Sequence, residues 1–382
     1  MYRFSLFVLA ATAFIGIGRV CGAQASKGVD YSRLQAYRTL QHPRSLEPEV
    51  PGSYANVEAL AFSPDGKLLA SGAMDVHNVV RLWEVATGKM VAAFPVETTP
   101  EGSIVYEVLF SPNGKTLAVV SQSGGRIPAD TILLWNVRTR QLQRRWTGQP
   151  GTALWLGFTR DGRALASEAP SISSGSAAKP EGWVNVWDVQ AQKRLQQIKT
   201  ADPFPPVAFS PDGSLLAILS APPLKLPLHE VKEAVELWMI AQGNRLVTLP
   251  MQGDIAPVIV FASDGKRLAC RSTIFGSARP GEPASPLRSE VQLWDIATGK
   301  PVQTLIAAHT TEFSAACFCP NGRAFVTGGQ DGTVILWDVQ TAAQSRVLTQ
   351  HRQRVTSLTF SADGHLLASG SEDGKIQLWR MP

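Results

Sequence analysis

Apolar and polar positions near the C-terminal end of the chain fall into three short runs divided by two turns. Val355 to Phe360 is a largely apolar run, Ser361-Ala362-Asp363-Gly364 a turn, Leu366 to Ser369 a second run, Glu372-Asp373-Gly374 another turn, and a third run ends at Trp379. Asp-Gly between such runs is a strong hairpin signal, because glycine accepts the positive φ that these turns require. The pattern predicts three short strands. A sheet this small cannot bury both faces by itself, so it requires neighbours of the same kind.

Those neighbours recur along the chain. The phenylalanine before the first turn returns as Phe62, Phe110, Phe158, Phe209, Phe261, Phe318 and Phe360, at separations of 42 to 57 residues, each followed three positions later by Asp-Gly or Asn-Gly. The closing tryptophan returns as Trp83, Trp135, Trp187, Trp238, Trp294, Trp337 and Trp379. Trp187-Asp188, Trp294-Asp295 and Trp337-Asp338 end their units in Trp-Asp, and with these residues the chain resembles the WD-repeat family. Glu84, Asn136, Met239 and Arg380 stand in place of the aspartate in the other four units. The resemblance implies an all-β fold, a single seven-bladed β-propeller over residues 34–382. It says little about chemistry, since function resides in sites grafted onto a fold.

The two ends carry complementary pieces. Tyr37-Arg38-Thr39-Leu40-Gln41-His42 is similar to Ser345 to His351, an outer strand leading into the next blade, while the chain stops just past Trp379. The N-terminal strand is therefore expected to complete the last blade and close the ring, which removes an open edge. Before it, Met1-Tyr2-Arg3, the apolar stretch Phe4 to Gly18 and the small-x-small Ala23-Gln24-Ala25 read as a signal peptide over residues 1–25, cut after Ala25. Residues 26–33 read as a tether. These features predict an exported protein, periplasmic or extracellular, without stable membrane insertion once the leader is gone.

The connection between the second and third strands of each blade varies in length. From Phe to Trp the spacing is 21, 25, 29, 29, 33, 19 and 19 residues in blades 1 to 7. In WD-repeat propellers this connection shares a face with the loop coming into each blade, so blades 2 to 5 are expected to raise a crescent of loops there. The loops span Gln122 to Asp130, Glu168 to Gly182, Ser220 to Glu233 and Ser272 to Ser289. Leu224, Leu226 and Phe275 are apolar residues within them, and Trp183 borders one; these four are the candidate partner contacts, because binding residues concentrate on loops and aromatic anchors.

His309, Thr327, Asp331 and Trp337 recur at the same offsets as His351, Ser369, Asp373 and Trp379. Ser or Thr with His and Asp suggests a hydrolase triad. The family resemblance implies a structural network instead, and duplication in adjacent blades fits that role. Other blades keep fragments: Ser71 and Asp75 with a distant His42 in blade 1, and Cys270 in the hydroxyl position of blade 5. A catalytic alternative would place a hydrolase or lyase site in the loops of blades 2 to 5, with His229, Glu230 and Glu233 as its groups.

Composition narrows this further. Without the leader the formal charge of +5 becomes +3, too small to suggest a nucleic-acid surface. Arg138, Arg140, Arg144 and Arg145 form a basic cluster on the bottom turn and outer strand of blade 2, where charge protects a sheet edge; a site for an acidic partner is the alternative. Cys270, Cys317 and Cys319 are too sparse for a disulfide framework. No phosphate loop or metal-ligand spacing occurs, so no cofactor is implied. The expected function is a non-catalytic, monomeric scaffold that recognises a protein or peptide.

Overall fold

The computed structural model describes residues 31–42, 56–75, 79–96, 103–123, 130–147, 156–158, 162, 164–171, 181–188, 191, 193–200, 207–220, 234–251, 254–275, 286–306, 309, 313–349 and 351–381. Within them every blade is an antiparallel meander of four strands, built on the hairpins that the Asp-Gly and Asn-Gly turns dictate. Blades 1 to 6 cover residues 56–95, 103–147, 156–200, 207–250, 254–306 and 313–349. Blade 7 takes its first three strands from residues 355–380 and its fourth from Gln35–Gln41, which pairs with Lys375–Arg380. The innermost strands pack in sequence around the ring, and that of blade 7, Val355–Phe360, returns to Asn56–Phe62 of blade 1. The fold is thus the all-β, seven-bladed propeller closed by an N-terminal strand.

At the seven landmark turns, Gly66, Gly114, Gly162, Gly213, Gly265, Gly322 and Gly364 all have φ between +66° and +74°. An L-side chain would be strained there. A serine before the turn often supports it: Ser361 Oγ donates to Asp363 at 2.6 Å and accepts the Leu366 amide at 2.9 Å. Ser63 and Ser210 repeat this arrangement.

The third strand of blades 1 to 6 slips register against the outer strand just before its tryptophan, as between Leu336 and Trp337. Each tryptophan then faces the preceding blade: Trp337 packs with Val258, Val260 and Leu293, and Trp294 with Ala208 and Ala217. Burial of these rings is the repeated hydrophobic joint between blades.

Three readings of the sequence change. Residues 272–275 and 286–289 are strand, with Ser272 paired to Glu290 and Phe275 to Pro286, so the blade 5 connection narrows to 276–285. Blade 3 likewise pairs Ala169 with Trp183 and Ser171 with Glu181, leaving 172–180. Finally, the end of the supposed tether is packed: Tyr31–Arg33 forms a 3-10 turn, Tyr31 meets Phe360 edge-on at 5.5 Å, and Leu34 is fully buried.

Candidate functional site

In each blade the first strand runs from one face of the ring to the other, so its incoming loop and the second-to-third connection lie on the same face. On that face lie the tight turns of blades 6 and 7, with polar networks beneath them. In blade 6, Trp337 Nε1 donates to Thr327 Oγ1 at 2.9 Å, and Thr327 Oγ1 meets His309 Nε2 at 2.8 Å. His309 Nδ1 then meets Thr333 Oγ1 at 2.9 Å, and Thr333 donates to Asp331 at 2.6 Å. Because the Thr333 proton goes to Asp331, Nδ1–H must donate to Thr333 and Nε2 must accept from Thr327. The hydrogen bonds therefore run one way, from indole to carboxylate. Thr333 is a link that the sequence reading missed; His309 Nδ1 reaches Asp331 directly only at 3.4 Å.

Blade 7 is simpler. Trp379 donates to Ser369 at 3.2 Å, Ser369 meets His351 Nε2 at 2.8 Å, and His351 Nδ1 lies 3.4 Å from Asp373. Burial alone would raise the Asp373 carboxyl, but His351 and the amides of Arg352 and Lys375 hold it below the ordinary carboxylate range. Burial lowers His309 from the ordinary histidine value, which keeps it neutral, as the directed chain requires. Glycines permit this packing: a Cβ at Gly329 would overlap the Asp331 carboxylate and the His309 ring.

Blade 1 holds a third network. His42, distant in sequence, reaches Ser71 through Nε2 at 2.8 Å, and Trp83 donates to the same hydroxyl at 2.8 Å. Arg81 sits 2.9 Å from His42 Nδ1. A guanidinium only donates, so here Nδ1 accepts and Nε2–H donates, the reverse of blades 6 and 7. Thr327, Ser369 and Ser71 are all fully buried. A nucleophile must meet its substrate, whereas these buried hydroxyls are taken up by the tryptophan and histidine beside them.

Blades 2, 4 and 5 treat the tryptophan differently. Val119 and Ile218 occupy the hydroxyl position in blades 2 and 4, and Cys270 does so in blade 5. The indole nitrogens of Trp135 and Trp294 are buried without a hydrogen-bond partner. Trp238 finds Glu236 at 3.0 Å, while Trp187 stacks on Trp146 at 6.0 Å between ring centres. Burial pushes the Cys270 thiol upward, and none of the three described cysteines is bonded to another.

Trp183 stands on the strand Glu181–Asp188, half-buried, with Lys199 Nζ 5.5 Å from its ring centre. Asn185, on the same side of that strand, is fully buried with neither amide atom hydrogen-bonded. Phe275 ends its strand beside the blade 5 connection. Leu224 and Leu226, and the alternative groups His229, Glu230 and Glu233, lie outside the described residues.

Sequence reasoning gave no signal for Glu58, which occupies the register slip between Val57 and Ala59 on the innermost strand of blade 1. Its carboxyl is pushed up to about 7 by burial, eased by Arg354 and reinforced by Glu372. Arg354 and Glu372 lie 3.7 Å apart. The side chain itself is half-buried. Among the described residues no three His, Cys, Asp or Glu side chains converge as metal ligands would, and no helix is long and apolar enough to cross a membrane.

Comparison with known proteins follows the same lines. The family described as WD domain, G-beta repeat matches residues 299–338 and 343–380, and the Anaphase-promoting complex subunit 4 WD40 domain matches residues 23–105. The chain is 32% identical over 149 residues to Centriole proteome protein 16 of Chlamydomonas reinhardtii, covering 37% of this chain and 6% of that protein. It is 24% identical over 251 residues to WD repeat-containing protein 90 of Mus musculus, covering 65% and 12%. To Small ribosomal subunit protein RACK1z of Oryza sativa subsp. japonica it is 35% identical over 91 residues, covering 24% and 22%. The chain therefore spans less than a quarter of the length of each of these relatives.

Proposed function

This chain belongs to the WD-repeat β-propeller family, and on that premise we propose that it is a protein-interaction scaffold, recognising a protein or peptide on the face that carries the long connections of blades 2 to 5. The observation that carries this reading is topological. Four consecutive blades place their longest second-to-third connections on one face of a closed ring, and loops held by a rigid frame are where binding residues gather. Trp183, Leu224, Leu226 and Phe275 are the contacts we assign to the partner. Trp183 supports the assignment by being an aromatic ring near the start of its strand that is only half-buried. The scaffold acts as a single ring without a cofactor, and the leader sends it out of the cytoplasm, with a mature form beginning at Ser26.

The test is affinity capture from cell-envelope extract by the exported chain. Its comparison is a variant with residues 276–285 replaced by a tight turn and Trp183→Ala added. Capture should fall about tenfold or more, as for loss of a binding anchor, while the melting transition stays in place. Undiminished capture by the variant would sink the proposal. The intact mass of the exported protein tests the cleavage position.

A further inference from the structure

The modest net charge of the chain conceals a strong segregation. The seven outermost strands carry Arg38, Arg144, Arg145, Lys193, Arg194, Lys199, Arg245, Lys300 and Arg346, and no acidic residue at all. Six of those nine cations stand on three adjacent outer strands, Leu142–Thr147, Lys193–Thr200 and Asn244–Pro250, and all six are exposed. The arginine cluster read from the sequence as belonging to blade 2 alone thus continues across blades 3 and 4. Arg245 is paired with Glu236 at 2.8 Å; Arg144 bonds the Gln143 carbonyl at 3.0 Å. Lys199 lies over Trp183.

The same strands expose large apolar side chains: Leu142 is 37% exposed, Leu195 53% and Leu246 49%. Leu195 and Leu246 are the extra residues at the register slips opposite Trp187 and Trp238, which turns them outward from the disc. Edge protection accounts for cations on an outer strand, but exposed leucines work against it. Cations interleaved with outward aliphatic side chains are instead the composition of a surface that settles on anionic lipid headgroups. A nucleic acid would use the cations and leave the leucines without a role.

We propose that the rim of blades 2 to 4 is a peripheral docking surface for an anionic phospholipid bilayer. Lys193, Arg194 and Lys199 meet the headgroups at its centre, and Leu195, flanked by Leu142 and Leu246, enters the interfacial layer. The disc then stands edge-on, with its partner-binding face turned sideways and left open.

Co-sedimentation of the full chain with vesicles tests this. Vesicles of phosphatidylcholine with about 30% phosphatidylserine should capture the protein and pure phosphatidylcholine should not; capture should be released at ~0.5 M salt, where surface charge is screened. Lys193→Gln, Arg194→Gln and Lys199→Gln together should lower capture at least about tenfold. The single exposed variants, read in the same assay, keep the comparison valid if the triple variant melts early. Leu195→Ser with Leu246→Ser should weaken vesicle capture, while Lys300→Gln with Arg346→Gln, elsewhere on the rim, should leave it unchanged. Equal capture by neutral vesicles, or indifference to the lysine and arginine changes, overturns the proposal. So does binding of a duplex oligonucleotide through the same cations with the leucine variants unaffected, which would make the rim a nucleic-acid surface.

Discussion

Blades 6, 7 and 1 form one arc of the ring and blades 2 to 5 the other, and the two arcs solve the same packing problem differently. In the first, every closing tryptophan donates to a buried hydroxyl held by a histidine. The residue after that hydroxyl is Gly72, Gly328 or Gly370, and a Cβ there would run into Val105, Val355 or Val57 on the innermost strand of the next blade. In the second arc the corresponding positions are Val120, Glu168, Leu219 and Arg271, and two indole nitrogens have no partner. Polar anchoring and close approach thus concentrate where the chain ends meet. The longest second-to-third connections belong to the blades outside that arc. Repetition of a fold does not entail repetition of its energetics.

The largest test of this contrast removes the closure. Starting the chain after His42 deletes a strand, the Tyr31 packing and one histidine network. It should abolish cooperative melting, a loss comparable to a whole folding free energy of ~5–15 kcal/mol. A circular-dichroism melt displaced by only a few degrees would break the contrast. Next, Trp337→Ala should lose ~3–5 kcal/mol, as for a buried aromatic. Trp238→Ala in the other arc, where the ring is half-buried, should lose about half of that; equal losses in denaturant would show that the arcs do not differ.

The anchored arc also has an electrostatic fault at Glu58. A carboxyl ordinarily near 4.5 that titrates at about 7 in the folded chain binds its proton more tightly there than in the unfolded chain. Stability therefore falls as pH rises through that window and levels off above it. Glu58→Gln should melt above wild type at alkaline pH and lose the advantage below the ordinary carboxylate value. An identical difference at both ends would remove ionisation as the cause. In the other arc, Cys270→Ser gives Trp294 an acceptor and should gain about 0.5–1 kcal/mol; a loss larger than that would mean the missing hydroxyl is not what separates the arcs. Smallest of all, Ala342 holds φ at +58°, and Ala342→Gly should gain roughly 0.5 kcal/mol in the same melts.

Much of this architecture was legible because it rests on local rules repeated seven times. Phenylalanine, Asp-Gly and tryptophan each mark a strand end, and the mismatch between the chain ends announced the closing strand. What was hidden depends on contacts remote in sequence. His42 meets Ser71 only once Gln35–Gln41 has joined blade 7, and Thr333 enters its network through a register that puts it beside His309. Residues 168–171 read as loop because Ser, Ala and Pro have weak strand preference, yet pairing with the neighbouring strand overrides that preference. The charged rim escaped notice for a related reason, since its members are scattered some fifty positions apart and only the ring brings them side by side.

The pairing of Gln35–Gln41 with Lys375–Arg380 has a consequence for how the molecule comes into being. A ribosome makes Gln35–Gln41 before Lys375–Arg380, so the outer strand of blade 7 has no partner to pair with until all seven blades have been made, and closing the ring joins segments from opposite ends of the propeller.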